Sequence, residues 1–201
     1  MRIFHDLTRP IVPGMPVYPG DPPVVFSPAA TLADDGFRVT QVSLGTHAGT
    51  HLDAPSHFLP EGSGVEVIPL ERLIGTARVV DLASSKVGAP FAPGERLLIR
   101  TGWSSRWGTE NYFDSFPPLE DWLVCALEET RVGLVGLETP SLDPEHARDE
   151  AFHVRLLSAG VIIVENLCNL ESLPDQVELA VLPLPLAGLD GSPCRVVAWT
   201  H

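Results

Sequence analysis

The two halves of this 201-residue chain distribute their apolar positions differently. Pro10, Pro13, Pro16, Pro19, Pro22, Pro23 and Pro28 break the first third into loops with short extended pieces. Residues 37–46 alternate loosely and predict a strand. The short apolar runs at 77–82 and 96–100 have the lengths of strands. After Pro117-Pro118, the residues Leu119, Trp122, Leu123, Ala126 and Leu127 recur at helical spacing and predict one apolar stripe. Glu120 and Asp121 fall in the first turn of that helix, where its dipole favours acidic groups. A buried strand is expected at 132–137. A short helix is expected at about 151–159, stopped by Gly160 in the left-handed conformation. Further strands are expected at 161–164, 177–182 and 195–199. Strands dominate the first half and helices alternate with strands in the second, the pattern of an α/β fold in one mixed domain.

Composition narrows the class. Apolar residues are 44% of the chain, enough for a core that needs no disulfides. Twenty prolines and seventeen glycines are dispersed without repeat, low-complexity tract or linker, so residues 1–201 read as a single domain. Cys125, Cys168 and Cys194 lie in separate apolar runs without CxxC spacing, as buried thiols of a reducing compartment do. The amino terminus lacks an apolar signal core and no run of eighteen apolar residues occurs, so a soluble cytoplasmic protein is expected. The net charge of −13 argues against nucleic acid or anionic membranes as partners.

The candidate chemistry is concentrated in His47-Ala-Gly-Thr-His51-Leu-Asp53-Ala-Pro-Ser-His57, which holds three of the seven histidines. His47, His51, Asp53 and His57 all occupy odd positions, so an extended backbone would turn them to one face. A straight strand would still separate the outer pair by about 33 Å, at roughly 3.3 Å per residue. The segment must therefore curl, and Gly45, Gly49 and Pro55 permit it. Imidazole and carboxylate are the donors that zinc and similar divalent ions take, so this segment is a candidate metal site.

A second group lies far downstream. Glu165 directly follows the apolar run 161–164, and a carboxylate ending a buried strand is ligated, paired with an arginine, or turned to water. His153, at the start of the expected helix, can reach the same sheet edge through the helix, the Gly160 turn and the strand. Taken alone, a histidine in this position is more often an ordinary surface or helix-packing residue. His5, His146 and His201 have no ligand-like spacing.

The chain resembles the cyclase family of metal-dependent hydrolases, which includes bacterial kynurenine formamidase and isatin hydrolase. The likeness rests on the His47–His57 segment, Val17-Tyr-Pro-Gly-Asp21, Thr139-Pro-Ser-Leu-Asp-Pro144, His153 through Glu165-Asn-Leu, and Asp190-Gly-Ser-Pro-Cys-Arg195. It implies a swivelling β/β/α domain, homo-oligomeric as a dimer or dimer of dimers, with two divalent metal ions per subunit. It implies that His47, His51 and Asp53 hold the first ion, that Asp53 and Glu165 bridge, and that His153 completes the second. It makes His57 the proton donor and acceptor and Tyr18 a substrate-binding residue. Tyr18 stands where the formamidases carry a tryptophan, so this pocket is shaped by a phenol instead of an indole. The 100–107 stretch also looks more like the family's broader membership than like its dedicated formamidases. Thr139, Ser141 and Asp143 match a family motif but are also ordinary turn residues.

Such a centre would produce hydroxide near neutral pH and polarise a carbonyl, with His57 carrying the proton to a leaving nitrogen. Zinc is the first expectation for the metal and manganese the second. The expected activity is hydrolysis of a carbon–nitrogen bond in an aryl formamide or cyclic amide, a small-molecule substrate. Phe58 and Trp103 are further aromatic candidates for the pocket wall, with core packing as their alternative. A cyclase or lyase, a lactone hydrolase and a non-catalytic metal-binding module are the rival readings. No G-x-S-x-G, HExxH, P-loop or dinucleotide fingerprint occurs, which removes the commonest competing mechanisms.

Overall fold

The short apolar runs pair into a sheet that closes on itself. A computed structural model describes residues 1–82, 90–144 and 152–200. In chain order it contains β1 (Ile3–Asp6), β2 (Val25–Ala30), α1 (Leu32–Asp35), β3 (Val39–Ser43), β4 (His51–Asp53), α2 (Leu70–Leu73) and β5 (Ile74–Asp81). There follow β6 (Arg96–Arg100), α3 (Asp121–Thr130), β7 (Leu134–Leu137), α4 (Phe152–Ser158), β8 (Ile162–Glu165), β9 (Gln176–Pro183) and β10 (Gly191–Thr200). The large sheet runs β10-β4-β8-β7-β6-β5-β9, and β9 pairs back onto β10, giving a seven-stranded barrel-like ring. One edge of the long β10 pairs first with β4 and then with β1, while its other edge carries β9. Strands β5, β6, β7 and β8 are mutually parallel, and the remaining neighbours in the ring are antiparallel.

Side-chain alternation sorts the core into two layers. Leu52, Val79, Leu98, Leu134, Ile162, Val164, Leu179 and Val196 fill one cluster, the inside of the ring. Leu97, Ile99, Val135, Leu137 and Ile163 point the other way, against Leu123, Val124 and Leu127 of α3 and Leu156 and Leu157 of α4. Coverage on both faces explains why β6, β7 and β8 read as continuous apolar runs. Gly136 lies where the inside is tightest: a Cβ there would come within 2.7 Å of Leu167 Cδ1 and 2.9 Å of Leu98 Cδ2.

Several expectations shift. The α3 stripe is Leu123, Val124 and Leu127. Trp122 is 48% exposed and Leu119 is buried ahead of the helix, because the helix starts at Asp121. The strand expected at 195–199 begins at Gly191, and β1 was not anticipated. The expected start of α4 at Ala151 lies outside the described residues, as do His146 and His201. Gly160 does end α4 in the left-handed region, at φ +81°.

β3 answers to the strand expected at 37–46, but it pairs only with β2, as a separate two-stranded hairpin. That hairpin leaves Val25, Phe26, Val39 and Val42 exposed, with Leu32 and Phe37 exposed at its turn. An isolated hairpin of this kind is marginal in water, so its stability comes from elsewhere.

Candidate metal centre

The β4–β8 register builds the site. His51 lies opposite Glu165, Leu52 opposite Val164 and Asp53 opposite Ile163. Alternation then sends Leu52 and Val164 into the ring and turns His51, Asp53 and Glu165 together onto its outer, helix-covered face. All three are buried, and their ligand atoms lie within 4.8 Å of one another.

The histidine-rich segment curls as expected. Gly49, at φ +66°, turns the chain ahead of β4, and a 3-10 turn over Pro55–His57 follows it. The first turn brings His47 Nδ1 to 2.8 Å from Asp53 Oδ1. The second lays the His57 ring on that of His47, with centroids 3.9 Å apart. His47, Asp53 and His57 form a second group whose ligand atoms lie within 4.8 Å. His153, in the first turn of the described α4, sets Nε2 3.2 Å from Glu165 Oε1 and 3.5 Å from Asp53 Oδ2. All six residues expected at the centre therefore converge.

Five contacts were not anticipated. Asp190 Oδ2 stands 2.8 Å from His47 Nε2, and Asp143 Oδ2 stands 2.5 Å from His153 Nδ1. Asn166, buried at φ +59°, donates from Nδ2 to Gly49 O at 3.1 Å, and its own carbonyl accepts from Thr50 Oγ1 at 2.8 Å. The Tyr112 hydroxyl, 2.7 Å from Asn166 Oδ1, fixes the orientation of that amide. Asn166 thus straps the histidine segment to the end of β8. Asp143 and Asp190 both lie in motifs quoted above for the resemblance, which was the only signal for them.

The electrostatics of the cluster are set by burial and by the charges of its own carboxylates and imidazoles. Burial and the Asp53 charge raise the Glu165 pKa, whereas the surrounding His153, His47 and His51 hold Asp53 well below its usual range against burial. Burial alone would lower His47, but Asp53 and Asp190 raise it to about 9. Burial lowers His57 to about 4, with the neighbouring His47 and His153 acting in the same direction and Asp53 opposing. Asp53 Oδ2 is buried without a hydrogen-bond partner among the described residues, since His153 lies too far away for one. An orphaned carboxylate oxygen, a second carboxylate beside it and inward-facing imidazole nitrogens are a donor set that fits divalent cations.

A cavity of about 350 Å³ opens over these groups. Tyr18, Phe58, Trp107 and Phe113 contribute its aromatic walls. Tyr18 meets Phe113 edge-on at 5.7 Å, and Phe58 stacks on the His153 ring at 4.7 Å. Trp103, a sequence candidate for this wall, is not among the lining residues. Its indole donates to Tyr112 O at 2.9 Å, and Trp107 takes the wall position.

Residues 5–144 match the family model described as Putative cyclase. Kynurenine formamidase of Geobacillus thermodenitrificans (strain NG80-2) is 36% identical over 204 residues, covering 97% of this chain and 96% of that protein. A solved potential metal-dependent hydrolase with cyclase activity superposes with a TM-score of 0.84 at 26% identity, covering 100% of this chain and 99% of the other. Isatin hydrolase A from Labrenzia aggregata gives 0.83 at 25% identity, with 99% and 94% covered.

Proposed function

The chain belongs to the cyclase family of metal-dependent hydrolases, and from that premise we propose that it hydrolyses the carbon–nitrogen bond of an aryl formamide or cyclic amide. The observation that carries this reading is the convergence of nitrogen and oxygen donors from three distant segments beneath an aromatic-walled cavity. In this reading residues 1–201 form one hydrolase domain of the swivelling β/β/α type. His47, His51 and Asp53 would hold one divalent ion, and Asp53, Glu165 and His153 a second, with zinc preferred and manganese next. When bound, such ions acidify water and polarise a carbonyl oxygen.

The chain's own residues do the rest. Tyr18, Phe58, Trp107 and Phe113 clasp a flat aromatic ring and exclude bulk water from the amide beside it. His57 is the proton carrier. Burial favours its neutral ring, whose lone pair accepts the proton lost by the attacking water. A carbon–oxygen bond forms, the carbon–nitrogen bond breaks, and His57 returns that proton to the leaving nitrogen. Tyr18 is the substrate-binding residue, a phenol at the position where the formamidases carry a tryptophan.

We read the protein as a cytoplasmic homo-oligomer. The exposed apolar β2–β3 hairpin supports self-association, and no helix among the described residues is long and apolar enough to cross a membrane.

The test is turnover of an aryl formamide and isatin panel by zinc- or manganese-loaded protein in ¹⁸O-labelled water. Hydrolysis places label in the product, whereas ring closure or elimination does not. His57→Ala should keep its metal and lose at least about 100-fold in kcat, the usual scale for a general acid–base group. Full activity in that variant removes His57 from the mechanism.

A further inference from the structure

Each of the three buried-side imidazoles has one nitrogen committed to an outer acceptor and the other turned toward the Asp53–Glu165 pair. For His51, Nδ1 lies 2.9 Å from the carbonyl of Gly49, and Nε2 faces Asp53 Oδ1 at 3.3 Å. For His153, Nδ1 meets the Asp143 carboxylate and Nε2 faces Glu165. His47 is reversed: Nε2 meets Asp190, and Nδ1 faces Asp53. The outer partners differ in kind. His51 is backed by a neutral carbonyl, while His47 and His153 are backed by carboxylates.

We propose that Asp190 and Asp143 are positioning residues that dictate which ring nitrogen of His47 and of His153 is presented inward, and that they set the metal affinity of the centre. The inference rests on the reading that these histidines hold ions. A neutral imidazole has one N–H and one lone pair, so an acceptor that captures the N–H on one side aims the lone pair at the other. A carboxylate acceptor also makes the ring a stronger donor to a cation than a carbonyl does. The geometry therefore assigns Nδ1 as the liganding atom of His47 and Nε2 as that of His51 and His153.

The anchoring of the two carboxylates suits the role. Asp190 is held by Thr46 Oγ1 at 3.2 Å, and its backbone carbonyl accepts from Ala54 N at 2.8 Å, which ties it to the residue after β4. Its side chain is 40% exposed, so removing it empties no core volume. Asp143 also accepts from the backbone N–H of Phe152 at the start of the described α4. Asparagine preserves that acceptor while deleting the charge, which makes Asp143→Asn the informative change there.

The experiment compares wild type, Asp190→Asn, Asp190→Ala, Asp143→Asn and His51→Ala. Zinc affinity is read by competition with a chromogenic chelator, and histidine ligation by long-range ¹⁵N–¹H spectra of the zinc-loaded protein. Asp190→Ala and Asp143→Asn should each weaken zinc about 10- to 100-fold, with Asp190→Asn intermediate between wild type and Asp190→Ala. His51→Ala, which loses a ligand outright, should be weaker than all of them. Wild-type spectra should show Nε2–H on His47 and Nδ1–H on His51 and His153. The inference is overturned if the aspartate variants bind zinc like wild type while His51→Ala does not, or if His47 carries its proton on Nδ1. Zinc binding by none of the proteins, wild type included, would overturn the metal reading itself. A merely structural role would lower the melting temperature of the metal-free variants without moving the ¹⁵N signature.

Discussion

Glu165→Gln should stabilise the protein when metal is absent and destabilise it, relative to wild type, when metal is present. Ligand atoms of Asp53 and Glu165 lie within 4.8 Å in a buried setting. Two unit charges at that separation repel by about 3 kcal/mol at an effective dielectric near 20. Nearby imidazolium groups cancel part of this, so a net gain of about 1–2 kcal/mol is expected from deleting the Glu165 charge. The local contacts favour the change. Glutamine keeps the Oε1 acceptor that receives Leu142 N at 3.1 Å. Its amide N–H₂ would replace Oε2, which now stands 3.6 Å from the Nε2 of His51. Because His51 Nδ1 is committed to Gly49 O, that Nε2 presents a lone pair, and glutamine turns a lone-pair repulsion into a hydrogen bond. Metal reverses the order. An ion that binds only the folded state adds about 4 kcal/mol at a thousand times its Kd, and the variant forfeits most of that gain. Urea melts in chelator and in excess zinc measure both terms. A metal-free Glu165→Gln protein less stable than wild type by more than about 1 kcal/mol would refute the account of the carboxylate pair.

Three further outcomes are expected. In chelator, the raised His47 pKa stabilises the fold fully below pH 6.5, and this contribution is lost as pH rises through about 9. The depressed His57 pKa acts oppositely, removing stability as pH falls from 6.5 through about 4, so metal-free stability should peak near neutrality and melts across pH 3–10 will show the dome. Tyr112→Phe strands the Oδ1 of Asn166 in a buried site and should cost about 1–3 kcal/mol, with weaker zinc binding because the Gly49 strap loosens. Gly136→Ala drives a methyl into Leu167 and Leu98 and should cost about 1–3 kcal/mol in urea while leaving kcat within about twofold.

Legibility in the sequence followed physical coverage. β6, β7 and β8 were readable because a parallel strand covered on both faces must be apolar throughout. The first residues of β10, Gly191-Ser192-Pro193, have poor strand propensity and belong to the sheet only because β4 pairs with them, a tertiary effect that no local pattern displays. Trp122 misled the stripe because an indole counts as apolar wherever it points; here its N–H donates to Glu120 Oε2 at 2.6 Å on the surface. The histidine segment declared itself by local density. His153 and Glu165 were suggested by their places on a helix and at a strand end, and only the fold joins them to that segment. Asp143 and Asp190 are two acidic residues among twenty-six, sitting in turn-forming surroundings, so composition and spacing gave them no distinction. The exchange of Trp103 for Trp107 at the cavity wall likewise depends on how the 3-10 turn at Trp103–Arg106 happens to face.

The scattered origin of the donors has a consequence for biogenesis. A ribosome delivers the histidine segment first, the Asp143–Glu165 block later, and Asp190 with the ring-closing β10 after both. A nascent chain therefore exposes His47, His51 and Asp53 before His153, Glu165 and Asp190 have emerged, and can offer only weak, transient sites to passing ions. On the proposed reading, full-strength capture waits until β10 closes the ring, so tight metal retention would report that the ring is complete.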